Sequence, residues 1–99
     1  MIVHQVFFNL NKNAGASGLE ELCRNVKMLE KIPGVLSAFA GKILYPSGQF
    51  THMILAYITD GNSRAAYERH QIHEEFSAGF FRPIRQDKEV VDKEIPDYA

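Results

Sequence analysis

Residues 2–10, IVHQVFFNL, carry the pattern on which the fold turns. β-branched and aromatic residues dominate, and no Gly or Pro interrupts before the polar NKNAG, so the segment reads as a strand. Side chains alternate across a strand, which puts Ile2, His4, Val6, Phe8 and Leu10 on one face and Val3, Gln5, Phe7 and Asn9 on the other. Neither face is wholly polar. Residues 50–59, FTHMILAYIT, repeat the arrangement, with Phe50, His52, Ile54, Ala56 and Ile58 opposed by Thr51, Met53, Leu55, Tyr57 and Thr59. Two-faced strands of this kind need cover on both sides.

Between them, Ser17 and Glu20 have the spacing of a capping box, and Leu19, Leu22, Cys23, Val26 and Leu29 recur at three and four residues, which predicts an amphipathic helix. It is expected to stop near Ile32, because Pro33 restricts the residue before it and Gly34 admits the positive φ common after a helix end. The run VLSAFAGKIL predicts a second strand with a bulge at Gly41, and YPSGQ is turn chemistry. After residue 59, Asp60, Gly61, Asn62 and Ser63 offer N-cap oxygens for a helix over RAAYERHQIHEEFSAGFF, expected in two pieces. Past Pro83, Val90, Val91 and Ile95 among charges suit an exposed edge strand over 87–95. The order strand, helix, strand, strand, helix, strand is the split βαβ, or ferredoxin-like, arrangement, an α+β sandwich with a four-stranded antiparallel sheet.

Two helices cover one face of such a sheet. The other keeps Val3, Phe7, Met53, Leu55 and Tyr57, whose withdrawal from water would contribute about 8 to 15 kcal/mol gross at roughly 1.5 to 3 kcal/mol each. A second copy of the chain is the simplest cover, and the expected assembly is a homodimer joined sheet to sheet. The 99 residues suit one domain, 1–99. Eleven Lys+Arg against 12 Asp+Glu, without a basic cluster, exclude the electrostatic footprint of a nucleic-acid partner, and the apolar runs are too short for a membrane span. The single cysteine and an N-terminus without secretory-signal character make cytoplasmic residence the expectation.

The four histidines are the candidate chemistry. His4 and His52 stand near the starts of their strands on the more apolar parity; taken as parallel neighbours, the two strands would bring these imidazoles together. A second helix returning antiparallel would carry His70 and His73 to the same level, with Tyr67 on the same track. Three imidazoles and a phenol at one end of an apolar cavity make a plausible small-molecule site. Each residue also has a structural reading: strand histidines as hydrogen-bonded core, His70 as an exposed helix-terminal cation, Tyr67 as core packing. His70 and His73, at i and i+3, could instead ligate a metal, but without an HExxH pattern or a cysteine cluster no metal or cofactor is assigned. Cys23 lies on the apolar stripe of its helix as a buried thiol, and no glycine-rich phosphate loop is present.

The opening MIVHQVFFNL, the helix-ending KIPGVLSAFAGK, FTHMILAYIT, AAYERHQIHEEF and the closing VVDKE together resemble the stress-responsive A/B barrel (Dabb) family over nearly the whole chain. The resemblance implies a ferredoxin-like fold whose dimers build an α+β barrel. Polyketide-cyclase members of that family carry a catalytic tyrosine and histidine in the second-helix region, and the matching motifs put these at Tyr67 and His73. The pocket-lining strand histidines fall on His4 and His52. Many relatives have a proline within the His-x-x-His segment where this chain has Gln71, and Asn25 lies near the place of a pocket tyrosine in the cyclases. The implied function is a cyclase or lyase acting on a small carbonyl or phenolic compound, with His73 as general base, Tyr67 as hydrogen-bond donor and His4 and His52 holding substrate. The alternatives are a non-enzymatic stress-related or oligomer-forming protein and an oxygenase-like enzyme of the wider dimeric α+β barrel group.

Overall fold

The structure, a computed structural model, describes residues 1–45 and 48–96. Strand β1 (Ile2–Leu10) leads into helix α1 (Gly15–Asn25), whose axis tightens into a 3-10 turn over Val26–Lys31 before β2 (Val35–Lys42). β3 (His52–Ile58) is followed by helix α2 (Gly61–Tyr67), helix α3 (Gln71–Phe76), a wide π-type turn over Ser77–Phe81 and β4 (Arg85–Glu94). The strands lie in the order β2-β3-β1-β4, each antiparallel to its neighbour, which is the ferredoxin-like α+β fold the element order predicts. β4 is an edge, as its charges suggest.

The even residues of β1 and β3 face the helices. Val6, Phe8, Ile54, Ala56 and Ile58 join Leu22, Val26, Leu29, Ile32, Tyr67, Phe76 and Phe81 in one buried cluster. The odd residues Phe7, Met53, Leu55 and Tyr57 form the opposite face and are half-buried, while Val3 is already buried. Phe39 of β2, opposite Leu55, extends that apolar face and is 46% exposed.

Three local expectations change. Helix α1 begins at Gly15, before Ser17, because Asn11 orders the entry: its side-chain oxygen accepts from the Asn13 amide at 2.9 Å and its amide donates to the Pro83 carbonyl at 2.9 Å. Ser17 and Glu20 are therefore not a capping box. The irregularity in β2 falls between Val35 and Ser37, while Gly41 pairs regularly with Met53. The extra residue, Leu36, comes two places after Gly34, which turns the chain with φ +90°. Asp60 does cap α2, accepting from the Ser63 amide at 2.8 Å. His70 is the N-cap of α3, its Nδ1 accepting from the Ile72 amide at 3.1 Å, so it stands at the start of a helix and not at the expected helix end. Pro46 and Ser47 of the YPSGQ turn lie outside the described residues.

Candidate functional site

β1 and β3 are antiparallel, so residues near their two starts lie at opposite ends of the sheet. His4 stands opposite Ala56 and His52 opposite Phe8, four residues apart along the strands, or roughly 13 Å at about 3.3 Å per residue. His52 therefore does not join the other imidazoles. It packs against Phe8, ring centroids 5.7 Å apart, and its Nδ1 is hydrogen-bonded to the Thr51 hydroxyl at 2.8 Å. Its expected place beside His4 fails because alternation assigns a face to each residue without assigning strand direction.

His4, Tyr67 and His73 do converge. The Tyr67 ring meets His4 edge-on at 5.2 Å between centroids and His73 at 4.7 Å, both at 65°. Helix α2 starts beside the end of β3, which is the His4 end of the sheet, and it stops at Tyr67. The break at 68–70 then reorients the chain and His70 starts α3, so His73 folds back onto Tyr67 although six residues separate them. These side chains line a cavity of about 310 Å³ with apolar walls from Val6, Ile54, Phe76, Phe81 and Val90, and with Glu68, Ser77 and Lys88 as further polar groups.

Behind His4 stands a network that sequence reading missed. The His4 Nδ1–H donates to Asp92 Oδ1 at 2.7 Å, and Arg64 Nε donates to the same oxygen at 3.0 Å. Arg64 also pairs with Glu68 at 2.8 Å. Asp92 lies opposite His4 across the β1–β4 ladder. Its signal was parity: Asp92 shares the face of Val90, an inward carboxylate on an otherwise charged edge strand. The carboxylate fixes the His4 tautomer, leaving Nε2 as the free nitrogen. Among the described residues, neither that nitrogen, the Tyr67 hydroxyl nor the His73 ring makes a hydrogen bond to protein, and none of these atoms is sealed from solvent. Tyr67 as a residue is only 2% exposed, so what stays open is its polar tip at the cavity.

Burial sets the charge states. Desolvation pushes the Tyr67 phenol up to about 12, against the opposing pull of Arg64, so it remains a protonated donor. Desolvation lowers His4 despite its bond to Asp92, and it lowers His73 with help from repulsion by His4. His52 is lowered by desolvation and by Lys42. For Asp92 burial acts upward, but the hydrogen bonds from Arg64 and His4 outweigh it and hold the carboxyl below its ordinary value.

Three imidazoles with depressed folded values leave the unfolded chain binding more protons just below 6.5, the ordinary histidine value. The sign follows: stability is complete above 6.5 and declines as pH falls through the depressed values. Urea midpoints are expected to drop between pH 7 and pH 5; a flat profile would show that these rings are not held neutral by the fold.

No group of three His, Cys, Asp or Glu side chains among the described residues is placed to hold a metal ion, and His70 turns its Nδ1 to the α3 backbone. No helix among the described residues is long and apolar enough to cross a membrane.

Sheet order and register define a ferredoxin-like α+β protein with a cavity between the sheet and the helical segment 67–81. The chain belongs to the Dabb family: the family model for the stress responsive A/B barrel domain matches residues 2–95. Solved structures agree on the fold. A dimeric ferredoxin-like protein of unknown function from Thermobifida fusca is 21% identical, with TM-score 0.81 over 95% of this chain and 90% of its own. A Dabb family protein from Mesorhizobium loti is 18% identical, with TM-score 0.80 over 97% of each chain. The hydroxynitrile lyase from Passiflora edulis is 18% identical, with TM-score 0.80 over 99% of this chain and 95% of its own. No curated protein matches the sequence.

Proposed function

We propose that the chain is a small-molecule lyase or cyclase acting on a carbonyl compound by general acid–base catalysis. The observation that carries the reading is the contact of Tyr67 and His73, 4.7 Å between ring centroids, at the wall of a cavity that mixes apolar and polar side chains, with both polar tips open to it. His73, held neutral at pH 7, is the base. It takes a proton from the carbon beside a carbonyl while the Tyr67 hydroxyl donates to the carbonyl oxygen, where negative charge accumulates. In a cyclisation the resulting enolate carbon attacks a second carbonyl of the same molecule, and the new alkoxide recovers the proton from the His73 imidazolium. In a lyase reaction His73 removes a hydroxyl proton, the carbonyl forms as the adjacent carbon–carbon bond breaks, and the departing carbanion, cyanide or an enolate, leaves with the electron pair and takes the proton from the His73 imidazolium. Both run without a redox partner. His4, fixed by Asp92, holds the substrate oxygen or the phenol in register.

The hydroxynitrile lyase among the structural relatives makes cyanohydrins one panel of test substrates; β-hydroxyketones and linear polyketo thioesters form the others. Turnover on at least one panel is expected, with kcat/KM falling on the acid side below pH 6.5 as His73 gains a proton. Failure on all three would retire the assignment.

We further propose a homodimer closed through the outer sheet face, in line with several structural relatives that are described as dimeric. Phe7, Phe39, Met53, Leu55 and Tyr57 supply its apolar area, and the Gln5 side-chain oxygen among them is buried without a hydrogen-bond partner. Light scattering at micromolar protomer is expected to give twice the 11.2 kDa chain mass. Leu55→Lys, a charge set into the middle of that face, is expected to give the monomer. A monomeric wild type contradicts the assembly.

A further inference from the structure

The cavity contains one cation that the proposed chemistry does not use. β4 runs along one wall with Lys88, Val90 and Asp92 on its inner face, opposite Phe8, Val6 and His4 of β1. Asp92 is bound by His4 and Arg64, and Glu68 by Arg64. Lys88 lines the same cavity, yet among the described residues it has neither an ion-pair partner nor a hydrogen bond. The groups that face it are Arg85, Arg82 and Glu68. Arg82 is paired with Glu74, while Arg85 lies over the Phe81 ring, guanidinium 5.0 Å from its centroid, with no carboxylate partner among the described residues.

We infer that Lys88 anchors an anionic group of the substrate, and that the substrate class is a carbonyl compound bearing a carboxylate rather than a neutral one. This rests on the lyase or cyclase reading for the identity of the reacting carbonyl, but not for the anion site. Lys88 and Asp92 are four residues apart, roughly 13 Å at about 3.3 Å per residue, so the wall has a cationic end, an apolar middle at Val6 and Val90, and a His4 end. A ligand whose carboxylate sits at Lys88 lays its apolar body over the valines and presents a carbonyl to Tyr67 and His73. Desolvation and then Arg85 lower the Lys88 ammonium, while Glu68 opposes them, at a residue that stays exposed to incoming anions. An inward charge on an edge strand also discourages strand pairing. That role alone predicts no ligand preference.

The test uses 4-benzoylbenzoate and its isosteric neutral amide, 4-benzoylbenzamide, titrated calorimetrically into the wild-type protein. Both are ketones without a hydrogen on the carbon beside the carbonyl, so the proposed base cannot consume them. The carboxylate is expected to bind at least tenfold more tightly than the amide at low salt, with the preference shrinking in 0.5 M KCl. Lys88→Met is expected to bring the two to equal affinity, Lys88→Arg to keep the preference, and Lys31→Met, an exposed control, to leave it unchanged. Equal affinities in the wild type, a preference that survives Lys88→Met, or no binding of either ketone would overturn the anchor. A preference that follows Lys88 while no carbonyl panel is turned over would uphold the anchor and sink the catalytic reading, so the two failures are separable.

Discussion

Tyr67→Phe and His73→Ala are each expected to lower kcat/KM by about 10² or more on whichever carbonyl panel the protein turns over, while leaving the fold intact. The magnitude is that of removing one positioned donor to a developing oxyanion, or one general base. The fold should survive for reasons specific to each residue. The Tyr67 ring is part of the buried cluster, but its hydroxyl makes no hydrogen bond to protein among the described residues, so the phenylalanine keeps the packing and orphans nothing. His73 is half-buried and its ring likewise holds no protein hydrogen bond, so truncation removes a cavity wall rather than a support. Because donor and base act on one transition state, the double variant is expected to be little worse than the slower single one. Far-UV circular dichroism and urea midpoints at pH 7 supply the control. Unchanged turnover with either substitution, in a folded protein, removes that residue from the chemistry; additive losses would show that the two act in separate steps.

How far this site could be read from the chain alone depended on which physical signal each residue carries. Alternation in 2–10 and 50–59 assigned inner and outer faces, and the observed burial of Val6, Phe8, Ile54 and Ile58 follows it. Pro33-Gly34 and Asp60–Ser63 carry local turn and cap chemistry, which acts through neighbouring backbone and is therefore visible in order. Strand direction is not local. Reading β1 and β3 as parallel brought His52 to His4, whereas the antiparallel register sends it to Phe8. The Tyr67–His73 contact was hidden differently: residues six apart on one continuous helix do not face each other in this way, and their meeting depends on the break that His70 caps. Gln71, where many relatives have proline, gives that break no fixed backbone angle to announce it. Asp92 and Arg64 were missed because charges fall on both faces of β4, and only the register shows that one carboxylate lies across from His4.

Phe8→Ala is expected to be the most damaging single truncation for stability, at about 3 to 5 kcal/mol. Phe8 is fully buried at the centre of the sheet's inner face, and its ring meets Phe81 edge-on at 5.0 Å and His52 at 5.7 Å. Alanine there removes apolar contact and leaves a void between the Phe81 ring and the sheet, whose strands cannot move in without breaking the ladders on both sides of β1. The void also touches function, since Phe81 lines the ligand cavity and supports Arg85. The variant should therefore lose affinity for 4-benzoylbenzoate as well as stability, whereas Phe8→Leu, which refills most of the volume, should recover most of both. His52→Gln supplies the contrast. It lies beside the same ring but about four residues along the ladder from His4, so it should reduce the urea midpoint without lowering turnover in the folded protein. Midpoints are compared at one protomer concentration, because a dimer couples unfolding to dissociation. A Phe8→Ala loss below about 1 kcal/mol would mean that the inner face repacks freely, and the rigid wall that sets Lys88, Tyr67 and His73 around one cavity would not exist.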